Sequence, residues 1–247
     1  MIKYCIECLY PNTKPGLGFD ERGVCDACNS SKMKEKIDWT KKRNELSKLL
    51  EKFRNTDGEK YDCIIPVSGG KDSHYQAYIM KQEFGMNPLL VSFHPNDITE
   101  IGRKNLDNMK NMGFDCIEFT PNPNVYLKMA QFGLKELGDF QWPEHIGIFS
   151  APARVAINYK VPLIIWGENS QFEYGEPASK RENNYLDRNW LEQFQMSNHR
   201  LSDVVHDGIP LNSIKSFHYP SDEEIKNVGV TGLFLGYYEK WDSKRNT

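Results

Sequence analysis

No apolar run in this sequence of 247 residues approaches the roughly 20 residues needed to cross a bilayer. The longest, such as Pro162 to Trp166 and Leu89 to Val91, are strand-sized. Charge of one sign is not in excess either: 31 Lys and Arg stand against 34 Asp and Glu, a net of −3, so no overall basic field draws the chain onto nucleic acid or anionic lipid. There is no internal repeat and no low-complexity tract. Cys5, Glu7 and Cys8 occupy the place where a secretory signal would need its apolar stretch, which predicts a cytoplasmic protein. Thiols stay reduced in that compartment, so six cysteines, four of them in two close pairs, point to metal binding ahead of disulfides. What remains is an ordinary globular composition, 39% apolar with 18 glycines, enough for one large domain or a main domain with a small appendage.

The chain divides into three stretches. Residues 1–30 hold Cys5-Ile-Glu-Cys8, a turn-rich segment with Pro11, Pro15, Gly16, Gly18 and Gly23, and Cys25-Asp-Ala-Cys28. Residues 31–58 read as a helical connector, because Trp39, Leu46, Leu49, Leu50 and Phe53 recur at helical spacing on a charged background. Its 10 basic against 6 acidic residues from Lys32 to Lys60 read as a solvated face. From residue 59 to 247, short apolar runs alternate with helical patterns. Strands are predicted at 61–67, 88–93, 114–119, 161–166 and 230–236, and helices at about 72–84, 98–112, 124–137 and 146–159, with Gly85 and Gly113 as left-handed caps. That order predicts an α/β fold with a doubly wound parallel sheet. Residues 170–229 break the rhythm and read as an insertion with helices near 185–199 and 221–227.

The chemistry concentrates in Ile64-Ile65-Pro66-Val67-Ser68-Gly69-Gly70-Lys71-Asp72-Ser73, which runs from a buried strand into a helix. Two glycines let the backbone approach a ligand, and the following amides stand at the positive end of a helix. Ser68 and Ser73 add hydroxyl donors, Lys71 a point charge, and Asp72 a carboxylate able to hold a Mg²⁺ ion riding on phosphates. The spacing is neither Gly-x-x-x-x-Gly-Lys-Ser/Thr nor Gly-x-Gly-x-x-Gly. It resembles the Ser-Gly-Gly-x-Asp-Ser loop of the ATP pyrophosphatases, the PP-loop superfamily of adenine nucleotide alpha hydrolase fold, in which ATP is cut between its α and β phosphates.

In a doubly wound sheet a ligand lies at the carboxyl ends of the strands, which nominates Ser92-Phe93-His94 and Gly167-Glu168-Asn169. His94 reads equally as a surface histidine or as an adenine-side contact. Glu168 reads as a residue for substrate, metal or proton transfer, with helix capping as the plainer role. Trp142, Tyr174, Trp190 and Trp241 are packing residues that could stack on a sugar or uracil ring. Arg181 and Arg188 suit a diphosphate or a surface ion pair.

Two Cys-x-x-Cys pairs, Cys5/Cys8 and Cys25/Cys28, match a four-thiolate zinc ribbon of structural type. Cys63 and Cys116 fall inside predicted strands, where a buried thiol acts as a small apolar residue. Loop and ribbon together have two settings. One is ATP-dependent tRNA thiolation, which generally needs further cysteines near the site and a basic RNA surface. This sequence offers only two strand cysteines and a net negative charge, which favours the other setting, and its islands run along nearly the whole chain: Tyr4-Cys5 with Pro11-Asn12-Thr13, Phe19-Asp20-Glu21, Pro66 to Ser73, Phe119 to Pro123, Trp142-Pro143, Gly147-Ile148-Phe149, Ile164 to Asn169, Tyr174-Gly175, Leu186-Asp187-Arg188, Tyr219 to Glu223 and Gly232 to Asp242.

These islands resemble the N-acetyl sugar amidotransferases of surface polysaccharide (lipopolysaccharide O-antigen) biosynthesis. The resemblance implies a cytoplasmic ligase in which ATP adenylates an acetamido carbonyl and ammonia displaces AMP to leave an acetamidino group. On that pattern Pro66, Val67, Ser68, Gly69, Gly70, Lys71, Asp72, Ser73, Ser92, Phe93, His94 and Gly167 bind the nucleotide, and Lys71, Asp72 and Glu168 carry the catalysis. Glu168, Asn169, Tyr174 and Arg188 meet the sugar, while Cys5, Cys8, Cys25 and Cys28 hold structural Zn²⁺. No glutaminase machinery is recognisable, so glutaminase and ammonia-channelling partners like those of imidazole glycerol phosphate synthase are implied. Members of the family continue beyond the Trp-Asp segment, whereas this sequence stops at Thr247, as a truncation or a shorter form would. A non-catalytic nucleotide sensor or scaffold is the third class.

Overall fold

A computed structural model describes residues 1–14, 17–94, 98–168, 173, 185–186, 201, 208–242, 244 and 246. Its framework is a sheet in the order β3-β2-β1-β4-β6-β5. The strands are β1 (Cys63–Pro66), β2 (Pro88–Phe93), β3 (Asp115–Phe119), β4 (Leu163–Trp166), β5 (Tyr185–Leu186) and β6 (Thr231–Phe234). All pairings are parallel except that of β5 with β6. Chain order runs outward from β1 through β2 to β3, then jumps back to β4. The reversal between β1 and β4 is the switch point of a doubly wound sheet, where the strand ends splay and leave a crevice.

Alternate residues of β1 explain why the central strands read as unbroken apolar runs. Cys63 and Ile65 join a core with Leu46 and Leu50 of α2 (Trp39–Leu50), Ala77 of α3 (Lys71–Tyr78), and Leu106 and Met109 of α4 (Glu100–Asn111). Ile64 enters a second core with Phe149, Ala153 and Ala156 of α6 (Trp142–Tyr159). The sheet is therefore covered on both faces. A third core gathers Tyr126 and Met129 of α5 (Pro123–Phe132) with Trp142, Ile146, Ile214 and Phe217.

Helix ends follow local chemistry. Gly85 (φ 62°) and Gly113 (φ 82°) adopt the left-handed conformation expected of them. Two helices expected to be uniform finish in π-turns, Ile79–Glu83 after α3 and Gly133–Leu137 after α5. The charged stretch 32–54 is not one helix. α1 (Asp26–Lys34) ends before residue 35, and α2 restarts where the Asp38 carboxylate accepts from the Lys41 N–H at 2.9 Å. Its apolar stripe packs against the sheet core. In the expected insertion, α7 (Asp222–Val228) forms behind a capping box of Ser221 and Glu224. The helix expected from 185 is corrected at its first two residues, which pair as β5 along the outer edge of β6 and satisfy backbone groups left open there. The rest of 187–199 lies outside the described residues. Among those residues no helix is long and apolar enough to cross a membrane.

Candidate functional site

The segment between β1 and α3 turns sharply at Gly69, whose φ of 78° is open to glycine at little cost. A second constraint acts at the same position. A Cβ on Gly69 would lie 2.4 Å from the Gly102 carbonyl oxygen, because the first turn of α4 packs against the loop. Gly102 is itself required, since a Cβ there would lie 2.9 Å from Ile98 Cγ1. Asn105, one turn further along α4, donates from Nδ2 to the Gly69 carbonyl at 2.7 Å. Ser92 Oγ on β2, fully buried, donates to the Val67 carbonyl at 2.6 Å.

Within the loop the Ser68 N–H donates to Ser73 Oγ and the Gly70 N–H to Ser68 Oγ, each at 3.3 Å. Ser73 Oγ donates to the Gly70 carbonyl at 2.9 Å. Gly70 stands at the N-cap of α3 with no side chain to cap it, so the first-turn amides have no intrahelical partner. Lys71 Nζ lies 2.7 Å from Asp72 Oδ2, and Asn246 Nδ2 donates to Asp72 Oδ1 at 2.9 Å. The result is a polar turn whose Ser68, Gly69, Gly70 and Lys71 face a cavity of about 1400 Å³, with Asp72 outside its lining. That exceeds the usual 300–1000 Å³ of a small-molecule site.

Ser68, Gly69, Gly70 and Lys71 line one end of the cavity, and Phe93, His94, Ile98 and Tyr126 line its β2 side. Phe93 is stacked on Phe119 (5.9 Å, 11°) and is admitted by Gly147, where a Cβ would overlap the Phe93 ring. Pro66, Val67 and Ser92 do not line the cavity; Ser92 instead holds the Val67 carbonyl. Gly167 and Glu168 stand on the other side of the loop, at the tip of β4, and do not line the cavity. Both follow β4, whose Ile164 pairs with Ile64 of β1. Gly167 makes a close approach there, since a Cβ would meet Gln76 Oε1 at 3.0 Å and the Trp241 ring at 3.4 Å. Trp241 packs edge-on to Tyr75, and Trp142 is wholly buried, so both are packing residues. Asn169, Tyr174 and Arg188, with Arg181 and Trp190, lie outside the described residues. Sequence reasoning missed Gly102, Asn105 and Asn246. A glycine inside a helical pattern was the available signal for the first.

The four ribbon cysteines have ligand atoms within 4.8 Å of one another. Cys5 Sγ lies 3.9 Å from Cys28 Sγ, and Cys8 Sγ 3.6 Å from Cys25 Sγ. A tetrahedral ZnS₄ centre with Zn–S bonds of about 2.3 Å has edges of about 3.8 Å, so the donor set fits that ion. Burial pushes the Cys5 thiol up, but N–H groups of Cys8, Cys25 and Glu7 outweigh it and bring the group down to about 6. Cys63 is fully buried and Cys116 half-buried. Burial pushes Cys63 up, and Cys116 up to about 11.

Fold and site together define a doubly wound α/β protein with a glycine-bearing strand-to-helix loop at its switch point and a separate four-cysteine cluster. No protein-family model matches the chain. The uncharacterized protein MJ1599 of Methanocaldococcus jannaschii is 31% identical over 88 residues, a match covering 35% of this chain and 31% of that protein. Among solved structures, NMN synthetase from Francisella tularensis aligns at a TM-score of 0.41 and 12% identity over 78% of this chain and 85% of that one. The NH3-dependent NAD synthetase from Campylobacter jejuni aligns at 0.41 and 12% over 78% and 92%. The U34-tRNA thiolase NcsA from Methanococcus maripaludis aligns at 0.31 and 14% over 93% and 80%. At these TM-scores the likenesses carry no weight for activity.

Proposed function

We propose that the chain is a PP-loop ATP-dependent ligase, forming AMP and pyrophosphate, that converts the acetamido group of an N-acetyl sugar to an acetamidino group with ammonia-derived nitrogen. The observation that carries the ATP half is the Ser68–Ser73 turn, left-handed at Gly69 and braced by Gly102, at the end of a large cavity. The sugar half rests on the islands of resemblance along the sequence. An amide carbonyl is a poor electrophile with a poor leaving oxygen, and ATP, when bound, supplies the activating group. The chain's own work is positioning and charge neutralisation. Ser68, Gly69, Gly70 and Ser73 hold phosphate oxygens, Lys71 offsets charge on the departing pyrophosphate, and Asp72 orients Mg²⁺. Glu168 faces the acetamido group or ammonia from the β4 side, and the resemblance assigns Asn169 to the same task and Tyr174 and Arg188 to the sugar. Cys5, Cys8, Cys25 and Cys28 hold Zn²⁺ as a structural ion. Ammonia comes from glutaminase and channelling subunits, and the work belongs to cytoplasmic synthesis of a surface polysaccharide such as an O-antigen.

The second reading, tRNA thiolation, is favoured by the pairing of loop and cysteine ribbon. Against it stand Cys63 and Cys116, whose raised thiols are poor nucleophiles. The test is pyrophosphate release from Mg-ATP in ammonium buffer, with acetamido sugars linked to UDP or CMP set beside unmodified tRNA. Sugar-stimulated release that disappears in Asp72→Ala supports the ligase, whereas release stimulated by tRNA alone moves the protein to thiolation. Glutamine serving as well as ammonium without a partner would refute the subunit arrangement.

A further inference from the structure

His94 and the groups behind it form a device that phosphate binding does not use. His94 stands at the tip of β2, and its ring lines the cavity. Its Nε2 is the buried ring nitrogen and lies 3.3 Å from Glu118 Oε2 on the neighbouring strand β3, a contact that a small ring rotation turns into a hydrogen bond. Glu118 is itself clamped. Arg103 Nη1 donates to Oε2 at 2.6 Å and Nη2 to Oε1 at 3.1 Å, and Lys110 Nζ donates to Oε1. The Arg103 guanidinium, opposed by partial burial and helped by Lys110, holds this carboxyl down to about 2. It is therefore a carboxylate, which can only accept. Burial, against the pull of Glu118, holds His94 below the usual imidazole value, so the ring carries one proton.

We infer that Glu118 is a positioning residue that keeps the His94 proton on Nε2, leaving Nδ1 as a hydrogen-bond acceptor toward the cavity and selecting a purine with a 6-amino group over one with a 6-oxo group. This rests on reading the cavity as a nucleotide site. Phe93 and Ile98 beside His94 supply apolar contact for a flat ring, and the loop supplies the phosphate end one strand away. A 6-oxo group would place an acceptor against an acceptor. Leaving such a group unpaired is worth about 10- to 100-fold in affinity.

The experiment measures dissociation constants of Mg-ATP, Mg-ITP and magnesium pyrophosphate for the full chain and for Glu118→Gln. A glutamine at 118 leaves one oxygen for Arg103 and Lys110 and turns its amide to His94, so Nε2 must accept and the proton moves to Nδ1. The expected result is a preference for ATP over ITP of about 10- to 100-fold in the natural chain, collapsing toward unity or reversing in the variant, with pyrophosphate affinity unchanged. A ratio that is the same in both, with pyrophosphate still bound, overturns the inference and leaves the nucleotide reading intact. A natural chain that binds none of the three overturns both. If the variant also loses pyrophosphate, ¹⁵N resonances of His94 in the natural chain decide, assigned by their loss in His94→Asn. A proton on Nε2 supports the inference, and a proton on Nδ1 overturns it.

Discussion

Replacing Gly69 by alanine tests the loop where two independent constraints meet. The left-handed φ of 78° costs an alanine about 1–2 kcal/mol. Its methyl would then lie 2.4 Å from the Gly102 carbonyl oxygen, a backbone atom that cannot rotate away. Asn105 ties the same loop to α4 at 2.7 Å, so the overpacking term of about 1–3 kcal/mol applies. The sum is about 2–5 kcal/mol. If the loop keeps its place, the cost appears as a melting temperature lowered by roughly 5–20 °C, at about 2–4 °C per kcal/mol for a domain of this size. If the loop moves outward instead, the same free energy appears as weaker polyphosphate binding, about 30-fold or more at 1.4 kcal/mol per decade. Gly70→Ala is the control, because its φ is −74° and its Cβ would meet only Ser68 Oγ at 3.3 Å. Calorimetry with and without pyrophosphate reads both routes. A Gly69→Ala chain with unchanged melting and unchanged affinity would refute the reasoning.

Elemental analysis of the purified chain should find one zinc per chain, falling toward zero in Cys25→Ser. Helix content should fall with it, because Cys25 Sγ also caps α1 through the Cys28 N–H. Asp62, almost wholly buried, accepts from the Asn55 N–H at 2.6 Å and the Asn87 N–H at 2.7 Å, so Asp62→Ala should lower stability by about 3 kcal/mol in urea titration, and Asp62→Asn by less. The folded Glu118 carboxyl sits near 2 against an ordinary 4.5, so its contribution is fully present above pH 4.5 and is lost as pH falls toward 2; Glu118→Gln should flatten that limb of the melting profile. Mg²⁺ and pyrophosphate should bind with positive coupling, each tightening the other several-fold in calorimetric titrations, and independent binding would count against the loop geometry.

The sheet was legible because β1, β2, β4 and β6, buried on both faces, read as compact apolar runs, while the more exposed edge strand β3 falls where Cys116, Ile117 and Phe119 follow the Gly113 stop. Helix termini were legible where a single residue type is demanded, as at Gly85 and Gly113. The loop was legible as a motif, but its bracing was not. Gly102 and Asn105 act from a helix more than thirty residues away, and nothing local in Ile101-Gly102-Arg103 says which backbone it must admit. Glu118 gave no signal for the same reason, since its relation to His94 arises only from the pairing of β2 with β3. The break between α1 and α2 was written in Asp38 but was outweighed by the longer apolar periodicity. Short two-residue pairing such as β5 carries no periodic signature at all.

Internal partners at the Asp72 carboxylate bear on how the proposed ligands would enter the loop. Both Asp72 oxygens are engaged, one by Lys71 and the other by Asn246. A cation arriving first has to displace a charged partner, whereas a polyphosphate arriving first offers Lys71 a stronger anion and draws it off Asp72. The vacated oxygen then faces a cation that the phosphates also attract. Likewise the two 3.3 Å bonds within the loop are long for amide donors and yield readily to phosphate oxygens. On the proposed function, polyphosphate and divalent cation would reinforce each other through Lys71, and that coupling needs no movement of the sheet. Gly69 packs against Gly102 and Asn105 holds its carbonyl, which suits the backbone to act as a template while side chains exchange partners. Preorganised dipoles with mobile counter-charges are the arrangement that stabilises charge building on a leaving group without reorganising the protein at the moment of reaction.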